Sequence, residues 1–92
     1  MSAAAQDLIN AVEYYESQSS GLGQDLLDDY EMTLSKINDF PLAWAPINSH
    51  LRRCLIRKFP YAVFYSIENQ VIIVSAIADL RMNPEEIKKQ LP

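Results

Sequence analysis

Apolar residues in the first half of the chain recur at intervals of three and four, which predicts two amphipathic helices. The first is predicted from Ala3 to Gln18, and the second from Gln24 to Asn38. Their apolar stripes consist of Leu8, Val12 and Tyr15, and of Leu26, Tyr30, Leu34 and Ile37. Because only a short glycine-containing segment separates the stripes, the two helices are predicted to form an antiparallel αα-hairpin.

The second half is rich in β-branched and aromatic residues, which favour strands. Three strands are predicted: Leu51–Phe59, Tyr61–Ile67 and Val71–Ala78. Pro60 separates the first two, because proline donates no hydrogen bond to a sheet ladder. The polar residues 68–70 separate the last two and predict a hairpin loop, in which Asn69 best tolerates a left-handed conformation. The strands should therefore form an antiparallel meander.

A short C-terminal helix completes the pattern, since Asn83 suits an N-cap and Pro84 the first helical position. It can run to about Gln90. The whole order predicts one α+β domain over residues 1–92, with the αα-hairpin packed on a three-stranded antiparallel meander. The run Val71–Ala78 is almost entirely apolar, so we expect this strand at the centre of the sheet, covered on both faces.

The composition places the chain among folded proteins of the cytoplasm. Of its 92 residues, 49% are hydrophobic and 22% are charged, which argues against disorder. No apolar run reaches the roughly 18–20 residues that cross a bilayer, so we expect no membrane span. The first residues lack the features of a signal peptide, and the single cysteine fits a reducing compartment.

Charge is divided unevenly along the chain, whose formal net charge is −4. Eight acidic residues and one basic residue precede Leu51, whereas four acidic and seven basic residues lie from Leu51 onward. Such a split suggests that the sheet half meets a negatively charged partner, while the helical half is solvated. An acidic protein satisfies this condition as well as RNA does.

The residue types that hold cofactors and metals do not form a recognisable set. Gly21 and Gly23 lack the third glycine and the lysine of a phosphate-binding loop, so they indicate a turn. His50 and Cys54 are the only residues of their types, and roughly 13 Å of strand would separate them. We therefore expect no cofactor, no metal site and no cysteine–histidine nucleophile.

The strongest chemical signal is a cluster of bases on the first predicted strand, Arg52, Arg53, Arg57 and Lys58. Tyr61 and Tyr65 share one face of the next strand, and Arg81 follows the last. Arginines and tyrosines on a small sheet can clamp a phosphate backbone and stack on a base. The alternative is a solvated edge strand that charge protects from aggregation. The residues by themselves leave both interpretations open.

Several segments match a known pattern in the right order over almost the whole chain. They are Ala11–Glu16, Ser20–Gly23, Pro41–Pro46 around Trp44, Phe59–Tyr65, and Arg81 with Asn83 and Pro84. In these segments the chain resembles the RelE/ParE superfamily of bacterial toxins, often called plasmid stabilisation proteins. The resemblance implies the toxin of a type II toxin–antitoxin system, which acts in the cytoplasm without a cofactor and is neutralised by a cognate antitoxin. Some members cleave mRNA on the ribosome, and others poison DNA gyrase.

The chain departs from this family at its first element. Members usually begin with a β-strand ahead of the first helix, whereas here a helix is predicted from Ala3. Either the start is truncated or the sheet has an unpaired edge, and such an edge is a template for another strand. We therefore expect either a homodimer or an antitoxin strand at that edge.

Further departures concern the groups that cleave RNA. The ribonuclease branch has an arginine after the position of Tyr61 and often a tyrosine near the C-terminus, but here Ala62 follows and Tyr65 is the last tyrosine. Asp79 replaces a common histidine, and an acid is unfavourable beside a phosphate. Because these RNA-cleaving residues are missing, the sequence favours a ParE-like, gyrase-binding toxin that is not an enzyme.

Two alternatives remain. One is a ribosome-dependent mRNA endoribonuclease with Arg57, Tyr65 and Arg81 as candidate catalytic residues. The other is a degenerate, non-toxic member that only binds antitoxin. In every case we expect an acidic amphipathic antitoxin segment to meet the basic strand. The predicted binding residues are Arg52, Arg53, Arg57, Lys58, Tyr61 and Arg81.

Overall fold

The computed structural model describes residues 2–92, which form three helices and one antiparallel sheet. The elements are α1 (Ala3–Gln18), α2 (Leu22–Asp39), β1 (Ala45–Pro46), β2 (Arg52–Leu55), β3 (Tyr61–Glu68), β4 (Val71–Asp79) and α3 (Pro84–Gln90). The sheet order is β1-β2-β3-β4, so each strand pairs with its neighbour in the sequence. The predicted α+β meander is confirmed, with one short strand added ahead of it.

The turn between α1 and α2 is closed by a side chain of α1. The Glu16 carboxylate accepts hydrogen bonds from the backbone N–H of Gly21 at 3.1 Å and of Gly23 at 3.0 Å. Gly21 adopts φ 93°, a left-handed conformation that favours glycine. Because Glu16 satisfies N–H groups that a helix start leaves free, α2 begins at Leu22 rather than at the predicted Gln24.

The strand predicted over Leu51–Phe59 is shorter than expected. It ends at Leu55, because the N–H of Ile56 donates to the carbonyl of Tyr61 at 2.9 Å and closes a turn. The chain reverses within this turn, so its last residues never enter the ladder. Consequently only the first two of the four predicted strand bases lie on β2.

Strand β1 lies in the segment between α2 and β2, in which no strand is predicted from the sequence. It pairs Ala45 with Arg53 and Pro46 with Arg52, and two residues of this kind carry no strand signal. Trp44 holds the segment against α2 by donating from Nε1 to the carbonyl of Lys36 at 3.3 Å.

Strand β4 is an edge strand, and the prediction that it lies at the centre of the sheet is wrong. It pairs with β3 from Tyr61↔Asp79 to Glu68↔Val71 and, among residues 2–92, with no other strand. The hairpin between them places Asn69 at φ 51° and Gln70 at φ 67°, which confirms the left-handed Asn69. The apolar character of β4 arises because helices cover its C-terminal half, where residues 76–78 are buried.

Strand β3 is the buried centre of the molecule, because the sheet has a core on each face. The face toward α1 and α2 buries Leu26, Ile37, Cys54, Val63, Tyr65 and Ile77. The other face buries Ala62, Phe64, Ala76 and Ala78 beneath Ile87 and Leu91 at the C-terminal end. Residues 61–65 are all buried, because both faces of this part of β3 are covered. Each Å² of apolar surface that is removed from water stabilises the fold by about 25 cal/mol.

Candidate functional site

Two of the predicted site residues hold the segment between α2 and β2 in place. Arg52 donates from Nη1 to the carbonyls of Trp44 at 2.8 Å and Leu42 at 3.2 Å. The hydroxyl of Tyr65 donates to the carbonyl of Pro41 at 2.6 Å, and this side chain is 0% exposed. Burial raises the pKa of Tyr65, so its hydroxyl stays protonated. Both side chains therefore form hydrogen bonds within the protein.

Tyr65→Phe should lower stability and leave the biological activity of the folded protein unchanged. The variant keeps the aromatic ring in the core but leaves the Pro41 carbonyl without its donor, which costs about 1–2 kcal/mol. Urea unfolding gives the free energy, and growth on induction gives the activity. A catalytic Tyr65 would show the reverse pattern, with activity lost and stability retained.

Arg81 lies beside Asp79 and is paired with it. Its Nε and Nη2 donate to the two carboxylate oxygens at 2.9 Å and 2.8 Å, which makes the contact bidentate. The guanidinium carbon also lies 5.8 Å from the centre of the Tyr14 ring. Hydrogen bonds from Arg81 hold the pKa of Asp79 below its usual range. The positive charge predicted for phosphate binding is therefore neutralised.

Asp79 makes stability depend on pH in the acid range. Its folded pKa is depressed, so the contact with Arg81 contributes fully above the unfolded pKa of about 3.9 and is lost as pH falls through the folded pKa. We expect the stability difference between the wild type and Asp79→Asn to be constant near neutral pH and to shrink below about pH 4. Urea unfolding at several pH values measures it, and a difference that grows on acidification would contradict the assignment.

Tyr61 and Arg81 line one cleft of about 490 Å³, which opens beside the C-terminal half of β4. Burial raises the pKa of Tyr61, and the Asp79 carboxylate raises it further. The cleft also contains Asp7 of α1, whose carboxylate accepts a hydrogen bond from the backbone N–H of Ile77 at 3.1 Å. Sequence reasoning missed Asp7, because its partner lies 70 residues away and an acid outside the apolar stripe of an amphipathic helix is normally solvated.

The remaining bases occupy other places. Arg57 and Lys58 are exposed on the turn between β2 and β3. Lys58 lines a cleft of about 340 Å³ with three acids of α2, Asp25, Asp28 and Asp29. The structure therefore brings Tyr61 and Arg81 together and separates the other predicted binding residues. Arg52 contacts the loop before β1, Arg57 and Lys58 lie on the turn between β2 and β3, and Arg53 lies on the outer face of β2.

Arg53 belongs to a groove of about 440 Å³ between β2 and α3, which we call the β2–α3 groove. Its lining is mainly apolar and consists of Ile47, Phe64, Leu80, Met82, Pro84, Ile87 and Leu91. Arg53 and Lys88 line it as well, so an apolar channel is flanked by two cations. Ile47 is 43% exposed and Leu80 37%, which leaves apolar surface available to a partner.

Comparison with protein families finds a match over most of the chain. Residues 1–84 match the family model described as the ParE toxin of type II toxin-antitoxin system, parDE. The chain belongs to the ParE toxin family. A search of individually curated proteins finds no match for this ParE-family chain.

Family membership agrees with the arrangement of helices and strands in residues 2–92. In that part of the chain, no helix is both long enough and apolar enough to cross a membrane. The same residues contain no group of three or more histidine, cysteine or acidic side chains arranged to hold a metal ion.

Proposed function

We propose that this ParE-family toxin inhibits DNA gyrase by binding it, and that a cognate antitoxin neutralises it in the cytoplasm. The main support for this proposal is that two candidate catalytic side chains are bonded to other groups of the protein. Tyr65 donates to Pro41, and Arg81 is paired with Asp79 at 2.8 Å. Both groups are therefore already bonded to other groups of the protein.

Cleavage of RNA by attack of a 2′-hydroxyl needs a general base, a general acid and positive charge at the phosphate. Tyr65 is buried and its pKa is raised, so it is a poor proton donor to a bound strand. Arg57 is exposed, but it stands on the turn between β2 and β3 and does not line the cleft that holds Arg81. These positions favour a toxin that acts by contact.

We propose that the antitoxin docks an acidic amphipathic segment in the β2–α3 groove. Apolar residues of such a segment would cover Ile47 and Leu80, and its acids would face Arg53 and Lys88. Arg57 and Lys58 are exposed on the turn between β2 and β3 and do not line this groove, so the proposed contact relies on Arg53 and Lys88. Arg52 supports this surface indirectly by fixing the loop that leads into β1.

Induction of the protein in bacterial cells tests the toxic activity. A gyrase inhibitor should halt replication and trigger DNA damage signalling while mRNA stays intact, and the purified protein should inhibit gyrase supercoiling in vitro. Fragmented, ribosome-bound mRNA with intact replication would instead identify the endoribonuclease alternative, and primer extension would locate the cuts. Arg81→Ala would then abolish the cleavage. Normal growth with folded protein would identify a non-toxic member that only binds antitoxin.

A further inference from the structure

A cleft of about 340 Å³ lies between the first two turns of α2 and the turn that joins β2 to β3, and we call it the α2 cleft. Its lining consists of Leu22, Asp25, Asp28, Asp29, Lys58 and Phe59. This volume is near the lower end of the range for small-molecule sites. The α2 cleft shares no lining residue with the β2–α3 groove or with the cleft that contains Arg81. It is therefore a separate feature, which the proposed function does not use.

Asp29 is the unusual residue of the α2 cleft, because it is an acid with only 8% of its surface exposed. Its Oδ2 atom is buried and has no hydrogen-bond partner within residues 2–92. Buried acidic side chains are normally paired with a cation or a hydrogen-bond donor. Leaving such an oxygen without a donor is costly. The structure therefore places a buried acceptor in need of a donor beside an open cleft.

The polar neighbours of Asp29 do not satisfy its carboxylate. Lys58 lines the same cleft, but it is exposed and forms no ion pair with an acid of residues 2–92. Thr33 donates from Oγ1 to the backbone carbonyl of Asp29 at 2.8 Å, not to its side chain. The exposed carboxylate of Asp28 already accepts from Nε2 of Gln24 at 2.9 Å. Asp29 is therefore the acid of this cleft that an incoming donor would satisfy.

The charge of the α2 cleft favours a cation. Three acids and one lysine give its lining a formal charge of −2. The N-terminus of α2 lies at the same place, but its partial charge of roughly +0.5 offsets only part of that value. A metal ion fits poorly, because across residues 2–92 no three histidine, cysteine or acidic side chains converge in a way that could hold one. An organic cation that brings its own N–H donors meets the requirement better.

The remaining lining indicates what is attached to the cation. Leu22 and Phe59 are half-buried apolar residues of the cleft. The ring of Phe59 packs edge-on against Tyr15, with ring centres 4.9 Å apart, so this wall is held in place. Apolar walls beside a buried carboxylate suit a short alkyl chain that ends in an ammonium group.

We propose that the α2 cleft binds a small linear alkyl diamine, one ammonium group of which donates to the Asp29 carboxylate. Rotation about the Cβ–Cγ bond of Asp29 turns the buried oxygen toward the cleft. The alkyl chain packs against Leu22 and Phe59. The second ammonium group lies near the exposed Asp25, which precedes Asp29 by four residues and therefore shares its face of α2, about 6 Å away along the axis. This inference does not depend on gyrase or on the antitoxin.

Putrescine, a linear diamine, is the probe, and the whole chain is titrated with it. In NMR spectra it should shift the backbone amide signals of residues 22–29 and 58–59, and it should raise the midpoint of thermal unfolding. Tetramethylammonium carries a positive charge but no N–H donor, so it should bind at least about tenfold more weakly. N-acetyl-lysine amide presents one ammonium group, as the side chain of a partner protein would, and should bind about threefold more weakly.

Asp29→Asn tests the buried carboxylate, because asparagine keeps its shape and removes its charge. The variant should be at least as stable as the wild type, since an unpaired buried charge is lost, and it should bind putrescine at least about tenfold more weakly. Glu31→Gln is the matched control, because Glu31 is an exposed acid of the same helix outside the cleft, and it should change the affinity less than about twofold. Lys58→Met removes the like charge and should strengthen binding about threefold.

The proposal is overturned if putrescine leaves the signals of α2 unchanged, if magnesium or tetramethylammonium binds as tightly as putrescine, or if Asp29→Asn keeps the affinity. Tighter binding of the lysine derivative than of putrescine would assign the cleft to a partner protein and would also overturn it. Weaker binding by Lys58→Met, together with lower stability, would identify Lys58 as the partner of Asp29 instead. Inhibition of gyrase and binding of the antitoxin are measured separately and bear only on the proposed function.

Discussion

Gly23→Leu is expected to destabilise the protein by about 3 kcal/mol, because α1 leaves no room for a side chain at this position. A Cβ atom at Gly23 would lie 3.0 Å from the carbonyl oxygen of Val12 and 3.0 Å from Oε1 of Glu16. The Val12 oxygen is backbone and cannot turn aside, so α1 and α2 must separate. The Glu16 carboxylate would also lose its hydrogen bond to the Gly23 N–H.

Leucine is chosen because it is a strong helix former, so helix propensity cannot account for a loss of stability inside α2. Gly23→Ala should cost less, since its gain of up to about 1 kcal/mol in propensity offsets part of the strain. Gln24→Leu, at the exposed neighbouring position, should change the free energy of unfolding by less than about 0.5 kcal/mol. Urea unfolding measures all three variants. Equal values for Gly23→Leu and Gln24→Leu would show that the two helices are not tightly packed at this point.

The elements that follow from local patterns could be predicted from the sequence, but an end that depends on a contact with another element could not. The helix over Ala3–Gln18 appears as predicted, because its apolar stripe and the Ser2 cap are both local signals. The start of α2 was misplaced by two residues, because Glu16 replaces the usual cap from the end of the preceding helix. Such a contact depends on how the hairpin folds back.

The position of β4 in the sheet shows a second limit of sequence patterns. Its apolar run predicted coverage on both faces, which is correct for Ala76, Ile77 and Ala78, yet Val71 is 58% exposed and the strand lies at the edge. Hydrophobicity reports which faces are covered, but it says nothing about which strands lie beside a given strand. Strand order depends on contacts between residues far apart in the chain.

The candidate site was predicted by residue type and only partly by position. The bases of the second half are real surface features at Arg53, Arg57 and Lys58, but Arg52 and Tyr65 turned out to be bonded to backbone carbonyls. The β2–α3 groove was missed, because its lining comes from β2, β3 and α3 and from the segments between β1 and β2 and between β4 and α3. Amino-acid types show what a site can do, whereas the fold decides which of them face a partner.

Reversing the two charges that flank the β2–α3 groove is expected to weaken antitoxin binding about 100-fold, or about 2.7 kcal/mol. Arg53 lies on β2 and Lys88 on α3, so the double variant Arg53→Glu, Lys88→Glu presents two negative charges to the acidic segment proposed to bind there. Most of the loss should come from like-charge repulsion, and it should diminish at high salt. Isothermal titration calorimetry with the cognate antitoxin, at low and high salt, measures the effect.

Lys89→Glu provides the matched control for the lysine of the groove. Lys88 and Lys89 are adjacent and exposed in the last turn of α3, so their charges act similarly on the helix dipole, but only Lys88 lines the groove. The ion pair between Lys88 and Glu85, at 3.5 Å, is exposed and contributes little. We therefore expect Lys88→Glu alone to weaken binding about tenfold and Lys89→Glu to change it less than about twofold. Equal effects at the two lysines would mean that general electrostatic attraction, rather than the groove, holds the antitoxin.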